Sequence, residues 1–190
     1  MAAPHPLVAA VRRLEDARRL DGVVGAVASV VEPLDRRSWS GLLRSDLLGH
    51  ALHPLLTDIP LGCWTSATLL DLRGRPSDRP ASRTLVTVGL AAFGPTALTG
   101  WAEWVRTAPA ERRVGVVHAG LNAVAAACYG VSLLARARGR HRLGTVSALA
   151  GASVVGASGY LGGHLVTARK VGSRDPNLAM RHALDLVMSA

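Results

Sequence analysis

The chemistry this chain could perform rests on a handful of polar side chains set among Ala, Leu, Val and Gly. His118 and His164 come first, because neutral imidazole is the commonest metal ligand and could hold a haem b iron or a metal ion. Asp58 and Glu103 could orient such ligands as hydrogen-bond acceptors from behind, and His53, Asn122 and Tyr160 could join that supporting set. No nucleophile–base pair stands out, so neither an enzyme nor a non-enzyme is indicated. Cys63 and Cys128 lie inside apolar runs without metal-ligand spacing, which suits packing rather than redox chemistry.

The positions of these groups carry more than their types. Four apolar stretches run from Leu52 to Asp71, Thr84 to Trp101, Val114 to Leu134 and Leu143 to Val166. Each approaches or exceeds the roughly 20 residues that cross a hydrocarbon core. The third and fourth hold no Asp, Glu, Lys or Arg; the first is interrupted by Pro54, Asp58 and Pro60, and Gly94-Pro95 kinks the second. Short charged linkers separate them: Arg73–Arg83, Ala102–Arg113 and Ala135–Arg142. A soluble bundle would show polar faces within its helices, and the third stretch offers only His, Asn, Tyr and Ser. The expected fold is all-α: a four-helix transmembrane bundle over 50–170, preceded by an N-terminal basic amphipathic segment over 1–49 and followed by a tail over 171–190.

Odd spans start, and even spans end, on one side of the membrane. His53, Asp58, Glu103, His118, Asn122 and His164 are therefore expected at one face and similar depth. Helical spacing puts Ser153, Ala157, Tyr160 and His164 on one stripe of the fourth span, and His118 with Asn122 on one face of the third. Such stripes, if all turned inward, would make one buried site between helices, where bundles place cofactors. Ala119, Ala123 and Ala127, and the pair Gly159 and Gly163, are expected to let helices approach closely.

The N-terminal segment differs in kind. Leu7, Val11, Leu14 and Ala17 fall at helical spacing among arginines; Gly22–Val31 is apolar but too short to span, and Pro33 is expected to break it. Trp39, Leu42, Leu43, Leu47 and Leu48 follow, again with arginines. The segment suits either an interfacial helix along headgroups or a small hairpin resting on the bundle. The net charge of +9 comes almost wholly from Arg lying between apolar runs. That distribution favours the lipid bilayer, with its anionic headgroups, over nucleic acid as partner. Fourteen Lys and Arg residues on the side of the termini, against eight on the other, favour a multi-pass protein of the inner (plasma) membrane with both termini cytoplasmic.

The run LGHALHPLLTDIPLGCWTSA from Leu48, ending in Leu69-Leu-Asp71, resembles the signature of a bacterial membrane family catalogued as domain of unknown function 2231. ERRVGVVH ending at His118 and GYLGGHLV from Gly159 resemble its later motifs. The resemblance implies a four-helix membrane protein. Fusions of some members to a Rieske domain imply an iron–sulfur or other redox partner. This chain departs from the pattern at Ala51, where the family usually has Pro, and after Thr167; it carries no Cys-x-His pairs of its own. Two functions from different classes stay open: a redox-associated subunit binding haem or metal, and a non-catalytic scaffold whose polar cluster pins helix register.

Overall fold

A computed structural model describes residues 5–36, 41, 43 and 50–172. Trp39, Leu42, Leu47, Leu48 and the tail beyond Gly172 lie outside the described residues. Among the described residues six α-helices are complete: α1 Pro6–Glu15, α2 Asp21–Asp35, α3 Leu52–Arg73, α4 Arg79–Trp104, α5 Pro109–Ala137 and α6 His141–Gly163. A π-type turn, His164–Ala168, extends α6. Three segments among the described residues are long and apolar enough to cross a membrane: Pro76–Trp104, Pro109–Ala137 and His141–Ala168. The fourth expected span, α3, has 22 residues, about 33 Å of helix, but its Asp58, Asp71 and prolines keep it below that apolarity.

Helix ends fall inside the expected linkers. Arg73, Arg79 and Arg83, like Arg112 and Arg113, are helical, because long basic side chains lay their stems along a helix while the charge reaches outward; Arg136 is helical too, with its charge turned inward. The turns that remain are short. Gly74 and Gly139 close α3 and α5 in the left-handed region, at φ +67° and +72°, where a side chain would be strained.

α3 pairs chiefly with α4, and α5 with α6. These two hairpins are built alike. His53, Trp64, Asp71 and Gly74 recur as His118, Tyr129, Arg136 and Gly139, each 65 positions later. Ser82, Gly89, Thr96 and Gly100 recur as Gly144, Gly151, Ser158 and Gly162, each 62 positions later. The three-residue difference is the turn Pro76–Asp78, present in the first hairpin alone. In both hairpins a large side chain of the first helix sits over a glycine of the second. Trp64 covers Gly89 and His53 covers Gly100; Tyr129 covers Gly151, His118 covers Gly162 and Arg136 covers Gly144. A Cβ at Gly151 would stand 2.9 Å from the Tyr129 ring, so glycine is what lets these helices close.

Trp64 and Tyr129 occupy matching positions and stack on each other, centroids 4.3 Å apart and planes within 12°. With Ala67, Val86 and Ala148, all fully buried, they form the centre of the bundle. Outward lie Leu69, Leu72, Val131, Leu134 and Val146, half exposed or more, a surface suited to lipid rather than water.

The N-terminal segment rests on the bundle. Pro6 starts α1, and the His5 ring accepts the Leu7 amide. Val11 is buried against Val114 and Leu161; Leu7, expected on the same face, is half exposed. α1 ends at Glu15, short of Ala17, and α2 continues through Pro33 to Asp35. Val31 of α2 packs beside Trp104 and Val105 at the α4–α5 turn.

Candidate functional site

Two prolines and two histidines organise the end of the bundle where α3 and α5 begin. Pro60 has no amide hydrogen to give the Leu56 carbonyl, four residues before it. Thr96 supplies one instead, its hydroxyl lying 3.2 Å from that carbonyl and 2.8 Å from Ala92 O. The backbone of Thr96 is used in turn: His53 Nδ1 stands 2.9 Å from Thr96 O. The break in α3 thus becomes the place where α4 is fastened.

The second hairpin repeats the bond. His118 Nδ1 lies 2.9 Å from Ser158 O, and its Nε2 lies 3.0 Å from the Asn122 amide nitrogen. Ser158 Oγ donates to Asn122 Oδ1 at 2.8 Å. One proton arrangement satisfies all three: Nδ1–H donates to the carbonyl, Nε2 accepts from the amide, and the serine hydroxyl closes the ring. Thr57 stands in the first hairpin where Asn122 stands in the second, and its hydroxyl donates to Pro54 O. His53 Nε2 therefore has no hydrogen-bond partner among the described residues.

His164 belongs to a different set. Its Nε2 is 2.7 Å from Glu15 Oε1, on α1. Arg169 Nε donates to the same oxygen at 2.7 Å and lies 3.5 Å from Glu111. Burial pushes the Glu15 carboxyl upward, but the hydrogen bonds from Arg169 and His164 outweigh it and hold the group below its ordinary value. This cluster ties the N-terminal segment to the ends of α5 and α6. Two further ties run beside it, Arg113 to Asp21 at 2.6 Å and Arg112 to Glu32 at 3.0 Å.

The expected site residues thus share one end of the bundle but divide among separate surroundings. His53 and His118 are inward and mutually equivalent; His164 faces Glu15; Glu103 is buried at the end of α4; Asp58 and Tyr160 are exposed on the outer surface. The stripe Ser153–Ala157–Tyr160 is exposed, and the inward face of α6 is Gly144, Ala148, Gly151, Ser158 and Leu161. Gly159 and Gly163 meet nothing within 4 Å. Among the described residues, no three of His, Cys, Asp and Glu gather as a metal site. A haem or metal held by His118 and His164 would require the first ring to release Ser158 or Asn122, and the second, whose Nε2 is held by Glu15, to bind through Nδ1.

The opposite end holds a polar cluster that sequence reading missed. Arg136 and Asp71 form a buried two-pronged ion pair, one arm at 3.0 Å, their side chains 2% and 5% exposed. Ser82 donates to Asp71 at 2.8 Å, Arg136 Nε donates to Ser132 at 3.0 Å, and Ser132 donates to Gly144 O at 2.6 Å. The signal that could have found it is the repeat itself, since Asp71 and Arg136 are matching positions.

Residues 49–175, more than half of the chain, match the model of a family described as predicted membrane protein (DUF2231). No curated protein matches, and no solved structure matches.

Proposed function

Because the chain belongs to the family of predicted membrane proteins catalogued as domain of unknown function 2231, we propose that it works as a non-catalytic membrane scaffold. Its polar groups lock two helical hairpins in register and hold a docked N-terminal segment for a partner or lipid surface. One observation carries this reading: both ring nitrogens of His118 are consumed within the Ser158–Asn122 ring. Groups satisfied in this way contribute to register rather than to ligand capture. The absorption spectrum and metal content of the purified protein test it. The expected result is a spectrum of aromatic bands alone; a haem band that disappears in both His118→Ala and His164→Ala would overturn the reading.

A second reading, a redox-associated subunit that binds haem b or a metal and docks an iron–sulfur or other redox partner, has one observation in its favour. His53 has Nδ1 held by a carbonyl and Nε2 unpartnered, the arrangement that orients imidazole ligands. Its signature would be a haem or metal signal lost in His53→Ala. Either function is placed in the inner (plasma) membrane with both termini cytoplasmic. A C-terminal reporter and one in the turn at Arg138–Arg140 should report opposite sides; an extracytoplasmic C-terminal reporter would reverse the orientation.

A further inference from the structure

At the end of the bundle away from the histidines, a cleft of about 480 Å³ opens between the start of α4, the end of α5 and the start of α6. Arg79, Arg83, Arg136 and His141 line it, with Thr87 and Val88 further along α4. Charge at this end is strongly one-sided. Of its two acids, Asp71 is taken by Arg136 and Asp78 by Arg73. Arg79 and Arg83, one helical turn apart and exposed, have no carboxylate partner among the described residues. His141 Nδ1 is buried with no hydrogen-bond partner.

Along α4 the lining of the cleft changes character with depth. The Thr87 hydroxyl is taken up by the Arg83 carbonyl of its own helix. Val88 is 45% exposed. From Arg79 to Val88 is about 14 Å along the helix, roughly the distance from a headgroup into the upper acyl region. A cationic mouth above an apolar wall, at the end of a membrane-spanning helix, has the profile of a phospholipid.

The internal repeat offers a comparison within the same molecule. At the repeat-related positions Arg83 is matched by Thr145, Arg136 by Asp71 and Pro80 by Arg142, while Arg79 and His141 match each other. Those positions carry two arginines and an acid where the cleft carries three arginines, so the repeat does not preserve the charge of the cleft.

We propose that this cleft binds a phosphate-bearing anion, with Arg79 and Arg83 as direct partners and His141 as an added donor, and that the anion is the headgroup of an anionic phospholipid. Arg136 lines the cleft but is neutralised by Asp71. Basic pockets between membrane helices bind such headgroups through the same combination of charge and shape.

The test uses the full chain reconstituted in vesicles of equal parts phosphatidylglycerol and phosphatidylcholine, then extracted with its retained lipid. The wild type should retain phosphatidylglycerol in excess. Arg79→Gln with Arg83→Gln should lower that preference on the order of tenfold. Arg138→Gln with Arg142→Gln, which removes equal charge at the same end outside the cleft, should leave it intact. Thermal unfolding in phosphatidylcholine alone confirms that both variants fold. Inorganic phosphate supplies the second arm: failure to displace the lipid supports a lipid source, whereas displacement at millimolar concentration overturns the lipid assignment in favour of free phosphate. Equal retention of the two lipids by the wild type, or equal loss in both double variants, overturns the cleft as a site.

Discussion

Asp71 and Arg136 stand at matching positions of the two hairpins and pair with each other, almost wholly removed from solvent. The repeat is otherwise close to like-for-like, His with His, aromatic with aromatic, glycine with glycine. Here it carries opposite charges, because two equal charges at these positions would repel in a medium of low dielectric.

Removing one partner should therefore cost more than exchanging both. Asp71→Ala leaves a buried guanidinium uncompensated and is expected to destabilise the bundle by about 3–5 kcal/mol. Exchanging the charges, Asp71→Arg with Arg136→Asp, should recover much of that loss. Denaturant unfolding in detergent micelles reads both. If the exchange is as damaging as the single change, the serine contacts matter more than the ion pair.

Gly162 and Gly100 should tolerate no side chain. A Cβ would come 2.9 Å from the His118 ring and 2.8 Å from the His53 ring, which are themselves bonded across to the facing helix. Gly162→Ala and Gly100→Ala are expected to cost about 1–3 kcal/mol each, as overpacking does. Gly159→Ala, in open space on the outer face, should be neutral. Thermal stability of the three variants, side by side, distinguishes these outcomes.

The clamp between α1 and the bundle should be released by acid and not by base. Glu15 is held below its ordinary value of 4.5 by Arg169 and His164, against the upward pull of burial. A depressed folded-state value means that the contribution is fully present above pH 4.5 and is lost as pH falls through the lowered value. Protection of the α1 amides from hydrogen exchange, taken relative to the intrinsic rate at each pH, should be high at neutral pH and fall in strongly acidic buffer. Glu15→Gln should make it low at both, and pH-independent protection in the wild type would remove Glu15 from this role.

Ala51 donates its amide hydrogen to Gly172 O at 3.0 Å, tying the start of α3 to the residues after α6. Proline at this position has no such hydrogen. Ala51→Pro should weaken this tie by about 0.5–1.5 kcal/mol. The effect should appear as faster proteolysis after Arg169 or Lys170, with the bundle itself unaltered. Unchanged cleavage would show that the contact between Ala51 and Gly172 is held by other means.

Much of the architecture is local and could be read from the chain. Long apolar runs, glycines after the last helical turn and charged residues between spans determined the helices and their alternation, and with them the shared end of His53, His118 and His164. The 65- and 62-residue spacings were also present in the sequence, though they become legible only when a residue in one helix is known to face a residue in the next. What tertiary structure alone decided is rotation. A helix that is apolar on every side has no polar face to announce which way it turns. Tyr160 and Ser153, on a plausible inner stripe, therefore lie outside, while Gly151 and Ser158 lie within. The same freedom hid the engagement of His164 by Glu15, 149 residues earlier, and the meeting of Asp71 with Arg136. The second depends on how closely Gly144 lets Arg136 approach, and no local pattern encodes that distance.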